Sequence, residues 1–126
     1  MPSKTILIAD DDLSLLKAMQ VRLESVGFEV VVTQDSYQTV DKARRISPDL
    51  LILDINMPAG SGFTVQQRIK NLPELADIPV IYITGEDPDS VDDIAIRMGA
   101  YSILHKPFDA SVLTETVKHA LGLAVV

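Results

Sequence analysis

A doubly wound α/β fold around one parallel sheet is the fold class this sequence predicts, and three observations carry the prediction. Short apolar, β-branched runs recur at Lys4–Ala9, Phe28–Thr33, Leu50–Asp54, Pro79–Thr84 and Ser102–His105. Segments with apolar residues at helical spacing alternate with them to the end of the chain. In three stretches, Ala9-Asp10-Asp11-Asp12, Ile52-Leu53-Asp54 and Ile103-Leu104-His105-Lys106-Pro107, the charged residues directly follow the apolar run. Runs of this kind read as buried parallel strands, so those charges belong at strand C-terminal ends.

Each element has a local reason. The first helix places Leu16, Met19, Leu23 and Val26 on one stripe and stops at Gly27. Asp35 or Ser36 caps a second helix that turns Val40 and Ala43 inward and ends before Pro48. The third strand is aliphatic until Asp54, and Pro58, Gly60 and Gly62 make Asn56–Gly62 a loop. A third helix carries Val65, Ile69 and Leu72, with Pro73 beyond its end. Asp87-Pro88 has the chemistry of a helix start, and Val91, Ile94, Ala95 and Met98 form the stripe of a fourth helix closed by Gly99. Asp109 or Ser111 begins a fifth, with Leu113, Val117, Ala120 and Leu121 facing in.

Five strands alternating with five helices require right-handed crossovers and a sheet covered on both faces. The expected strand order is the flavodoxin-like 2-1-3-4-5, whose switch point lies between strands one and three. Asp10, Asp11 and Asp54 would meet in that crevice, where ligands bind in open α/β sheets.

At 126 residues the chain fits a single domain, 1–126, with a core of ordinary size. An apolar content of 47 % excludes disorder. No apolar run approaches membrane-spanning length and no signal-peptide h-region opens the chain, so no membrane association is expected. The absence of cysteine rules out disulfides and thiolate metal sites and is what a cytoplasmic protein would show. A net charge of -7 opposes direct nucleic-acid binding.

Three carboxylates brought together repel unless a cation holds them ionised. Mg2+ prefers few protein oxygens and several from water or phosphate. Asp11, Asp54 and the backbone carbonyl of Asn56 would supply protein oxygens, with Asp10 holding a metal-bound water from behind. Asp12 reads instead as an acidic helix start. Asp54 is the natural nucleophile, since a carboxylate can take up a phosphoryl group as an aspartyl phosphate. Lys106 would neutralise a phosphoryl oxygen, the Thr84 hydroxyl would donate a hydrogen bond, and Gly85 would leave room for the donor. His105 and His119 read as surface histidines, Met57-Pro58 as loop geometry, and Tyr37, Tyr82 and Tyr101 as packing residues.

These residues resemble the response-regulator receiver domains of two-component signalling. The resemblance rests on Ile6-Leu7-Ile8-Ala9-Asp10-Asp11-Asp12, Leu53-Asp54-Ile55-Asn56-Met57-Pro58, Gly62, Pro79-Val80-Ile81, Thr84-Gly85, Gly99-Ala100 and Lys106-Pro107-Phe108, in order over the whole length. It implies phosphorylation of Asp54 from the phosphohistidine of a kinase or phosphotransfer protein, with Mg2+ at Asp11, Asp54 and the Asn56 carbonyl, and Asp10 assisting. It also implies a cis Lys106-Pro107 bond and a downstream protein partner on the face of the fourth helix, fifth strand and fifth helix. Such a protein is a switch rather than a conventional enzyme, although it helps catalyse its own phosphorylation. Asn56 and Glu86, two residues beyond Asp54 and Thr84, occupy positions that tune phosphoryl lifetime in the family.

One position departs: Ile103 stands where the family usually has Tyr or Phe, three residues before the lysine. The departure favours an alternative, a phosphorylation-independent interaction module with the same fold, against which the intact Asp10, Asp11, Asp54, Thr84 and Lys106 weigh. An aspartyl phosphatase would want a second carboxylate where Asn56 stands. Neither phosphate-loop glycine motif of nucleotide binders occurs.

Overall fold

The computed structural model describes residues 3–57, 60–85 and 88–123. The expected Asp87 cap, Pro58 and Glu86 lie outside the described residues, as does the side chain of Val91. The strands are β1 (Thr5–Ala9), β2 (Glu29–Thr33), β3 (Leu50–Asp54), β4 (Val80–Thr84) and β5 (Ser102–His105). The helices are α1 (Leu13–Ser25), α2 (Ser36–Ile46), α3 (Gly62–Lys70), α4 (Pro88–Arg97) and α5 (Ala110–Ala120). A single 3-10 turn, Pro73–Leu75, precedes β4 where the sequence suggested only the end of a helix.

All pairings are parallel and the order is β2-β1-β3-β4-β5, as the alternation predicts. Side chains of alternating direction divide the core in two. Leu7, Leu51, Leu53 and Tyr82 face α2 and α3 with Val40, Ala43, Val65 and Ile69. Ile6, Ile8, Ile52 and Ile83 face α1 and α5 with Leu16, Met19, Leu23, Leu113 and Val117. Each fully buried aliphatic side chain contributes about 1.5–3 kcal/mol, so the central strands β1, β3 and β4 anchor the fold.

Local signals set most boundaries. Asp12 caps α1 by accepting the Leu15 N–H at 3.1 Å, and Asp35 caps α2 by accepting the Gln38 N–H at 2.8 Å. Gly99 closes α4 with a φ of +83°, a conformation few other residues tolerate.

Packing expectations fail at four residues. Val26 lies beyond the end of α1 and is exposed, its N–H capping the helix. Ile94 is exposed while its neighbour Ala95 is fully buried. Of the tyrosines only Tyr82 packs in the core; Tyr37 and Tyr101 lie at the surface.

Tyr82 is placed by three groups. Its ring meets the Phe63 ring edge-on at 4.9 Å, and its hydroxyl donates to Gln66 Oε1. Gln66 in turn donates to the Met98 carbonyl oxygen at 2.8 Å, tying β4 through α3 to the end of α4. Burial pushes the Tyr82 hydroxyl well above the usual phenol range.

Gly62 is the most closely approached of the glycines. A Cβ there would lie 2.6 Å from the Asp54 carbonyl oxygen and 3.3 Å from Tyr82 Cε1. Gly62→Ala is therefore expected to destabilise the chain by about 1–3 kcal/mol, through strain beside Asp54. Gly85→Ala, whose Cβ would meet nothing within 4 Å, is expected to be near neutral in the same urea titration.

Candidate functional site

The parallel sheet brings the C-terminal ends of β1, β3, β4 and β5 to one edge, and the sequence-predicted residues gather there. Asp10 follows β1 and is 0 % exposed; its Oδ1 accepts the Asp12 N–H at 2.9 Å. Asp54 ends β3 and is 4 % exposed; its Oδ1 accepts the Asn56 N–H at 3.2 Å. Asp11 is exposed at the rim. Carboxylate oxygens of Asp10, Asp11 and Asp54 lie within 4.8 Å of one another.

Lys106 supplies the counter-charge. Its Nζ lies 3.0 Å from Asp10 Oδ2 and 3.4 Å from Asp54 Oδ2. The backbone holds it in place, since the Lys106 N–H donates to the Thr84 carbonyl oxygen at 2.7 Å. Lys106-Pro107 is cis, as the resemblance implied. Thr84 ends β4, fully buried beside this pair of strands, and Gly85 is exposed next to it. A concavity of about 480 Å3, lined by Asp11, Ile55, Asn56, Met57, Gly60 and Ser61, opens beside the carboxylates. That volume lies within the range of ligand pockets.

One ammonium does not balance three carboxylates. Burial, then the charge of Asp10, pushes the Asp54 carboxyl up to about 6, against the opposing pull of the Asn56 N–H and Lys106. Burial alone would lower the Lys106 ammonium, but Asp10 and Asp54 outweigh it and the group is raised. The donor set therefore fits a hard divalent cation: oxygen ligands only, with surplus negative charge in one cluster.

Two residues take places the sequence did not reveal. His105 is half-buried rather than a free surface histidine, with Nε2 3.2 Å from Asp92 Oδ1. Gly62, read from the sequence as a loop breaker and as a match to the family, lets α3 start against the Asp54 carbonyl, a role neither reading gives it. His119 is exposed and Asp12 serves as a helix cap, both as expected.

Acidic residues and a lysine at the C-terminal edge of a 2-1-3-4-5 sheet define a receiver-type site. The family model described as a response regulator receiver domain matches residues 6–118, and the chain belongs to that family, the phosphoacceptors of two-component signalling. It is 30 % identical over 122 residues to the polar-differentiation response regulator DivK of Brucella anthropi, covering 97 % of this chain and 98 % of DivK. A response regulator of Chloroflexus aurantiacus, described as putative, superposes with a TM-score of 0.91 at 27 % identity, covering 96 % and 99 % of the two chains. The receiver domain of the Pseudomonas aeruginosa sensor histidine kinase PA1611, solved with magnesium in its active-site cleft, shares the fold at 23 % identity. Its TM-score is 0.87 over 96 % of this chain and 99 % of that one. Among the described residues no helix is long and apolar enough to cross a membrane.

The raised Asp54 carboxyl has a consequence for stability. Its folded value of about 6 lies above the ordinary 3.8, so the folded chain holds the proton more tightly between those values. Without a divalent cation, the Asp54 contribution to stability falls as pH rises through that window. Asp54→Asn removes the penalty and is expected to gain on the order of 2 kcal/mol over the parent at pH ~7, and nothing near pH ~4, by denaturant unfolding.

Proposed function

We propose that Asp54 is the phosphoacceptor of a single receiver domain spanning residues 1–126. The observation that carries this reading is the Lys106 ammonium held between the buried Asp10 and Asp54 carboxylates. A carboxylate oxygen of Asp54 attacks the phosphorus of a partner's phosphohistidine. The P–O bond forms as the P–N bond breaks, and the leaving imidazole nitrogen takes its proton from solvent. Little covalent help is available to such a transfer, so positioning and charge neutralisation carry it. The Lys106 ammonium faces one phosphoryl oxygen, the Thr84 hydroxyl donates to another, and Gly85 leaves the approach open.

Asp11, Asp54 and the Asn56 carbonyl would hold Mg2+, with Asp10 behind them on a metal-bound water. When bound, the ion neutralises phosphoryl oxygens and the surplus charge of the acidic cluster. The protein is a switch that assists its own phosphorylation rather than a conventional enzyme. Its donor is a histidine kinase or phosphotransfer protein, and its output partner docks on the α4–β5–α5 face, where Ile96 and Tyr101 are exposed. Family membership and the assembled site disfavour the phosphorylation-independent alternative raised by Ile103.

Intact-mass spectrometry after incubation with a small-molecule phosphodonor tests the reading. One phosphoryl adduct is expected with Mg2+, none with a chelator, and none in Asp54→Asn under either condition. An adduct retained in Asp54→Asn would move the acceptor elsewhere. Mg2+ alone should also raise the unfolding free energy of the parent, by about 2.7 kcal/mol at a hundredfold excess over Kd, and of Asp11→Ala much less.

The exposed Asn56 side chain borders the acceptor. Asn56→Arg is expected to change the dephosphorylation rate more than the phosphorylation rate, read from decay of the adduct after donor removal. An unchanged lifetime would exclude Asn56 from tuning it.

A further inference from the structure

Two concavities lie side by side across α2, α3 and α4, away from the carboxylate cluster. One, of about 440 Å3, lies between α2 and the end of α3, with Val40 and Leu72 as its apolar part. Its neighbour, of about 570 Å3, lies between α3 and the end of α4 and includes Met98. Arg68 and Asn71 line both, so the two are adjacent. Volumes of this size accept side chains rather than isolated waters.

The rim is basic. Arg44, Arg68, Lys70 and Arg97 line the concavities, four of the eleven cationic residues of a chain whose net charge is -7. All four are exposed. Among the described residues none of them has a carboxylate within ion-pair distance. The one lining carboxylate, Asp41, pairs with Arg45 at 3.1 Å instead. The Arg68 guanidinium lies 5.5 Å from the centre of the Tyr37 ring, a contact that orients its plane without using its N–H donors. Lys70 donates to the Met98 carbonyl oxygen, which holds its charge at the mouth of the second concavity.

We propose that this α2–α3–α4 face binds an acidic polypeptide segment whose apolar side chains enter the two concavities while its carboxylates meet Arg44, Arg68 and Arg97. Charge complementarity makes the choice. Guanidinium groups gathered on one face of an otherwise acidic chain make a local positive potential that draws an anionic partner to that face. Guanidinium forks also match carboxylates in bidentate geometry. Val40 and Leu72 in one concavity and Met98 in the other, beside the basic residues, suit a peptide carrying aliphatic side chains. An extended nucleic-acid polyanion would use the rim alone and would be repelled by the rest of the surface. The face shares α4 with the α4–β5–α5 surface and reaches it through Arg97 and Met98.

The test uses a fluorescein-labelled peptide of repeating Asp-Leu-Glu, its Lys-Leu-Lys counterpart, and oligothymidylate. Each is titrated against the full chain by anisotropy and by amide chemical shifts. The acidic peptide is expected to bind with shifts confined to α2, the α3 C-terminus and the α4 C-terminus, and to weaken with salt. Arg68→Glu with Arg97→Glu should weaken it by roughly tenfold or more. The milder Arg68→Gln with Arg97→Gln should weaken it less, and both variants should retain the Mg2+-dependent phosphoryl adduct. No shifts on this face at millimolar peptide, tighter binding of oligothymidylate, or undiminished peptide binding by the charge-reversed variant would each overturn the proposal. Self-association of the parent that the charge reversal abolishes would overturn it in favour of a second copy of the chain.

Discussion

The Lys106 ammonium, shared between the carboxylates of Asp10 and Asp54, is the interaction on which the rest of this structure depends. Both acids are almost fully enclosed, and a buried carboxylate without a partner is expensive. Removing the ammonium and leaving both acids without a counter-charge typically costs about 3–5 kcal/mol, less where the cation keeps contact with water. Lys106, with 26 % of its side chain exposed, is such a case. The pair is nevertheless incomplete, because two acids and the nearby Asp11 share one cation. The residual negative charge raises the Asp54 carboxyl and makes the cluster receptive to a divalent ion.

The sheet makes that arrangement possible. Parallel strands in the order β2-β1-β3-β4-β5 place four chain segments at one edge, and each strand delivers its last residue or the next one. Backbone bonds beyond the ladders extend this alignment. Asp10 N–H reaches the Thr33 carbonyl oxygen at 3.2 Å, and Ile55 N–H reaches that of Ile83 at 3.0 Å. Gly62 then lets α3 begin in contact with the strand that carries Asp54. The acidic edge is thus held by rigid elements on both sides, which suits a site whose chemistry rests on position.

Ile103 changes the interior rather than the edge. It is half-buried, packs into the cluster under α2 and α3, and pairs in register with Tyr82 of β4. The aromatic ring on this side of the sheet therefore comes from the neighbouring strand, fixed by Phe63 and by Gln66. Tyr101, two residues before Ile103, lies at the surface and does not fill that space. A ring held by a buried hydrogen bond has less freedom to change rotamer than one free to swing between core and solvent.

Much of this was legible in the chain by itself. Apolar runs, helical stripes and breakers such as Gly27, Pro48 and Gly99 are local properties, and they determined the elements, their order and the charges at the strand ends. Local pattern was blind to how far each helix face is covered, which is why Ile94 and Val26 were expected inside. Only the tertiary structure decided which charges meet. Lys106 and Asp54 are 52 residues apart, and the distance between their side chains depends on strand order and register. Likewise Arg44, Arg68 and Arg97 sit on three different helices, and only packing of those helices makes one basic face of them. Periodicity specifies what each segment turns toward the core, whereas proximity between segments is a property of the packed sheet alone.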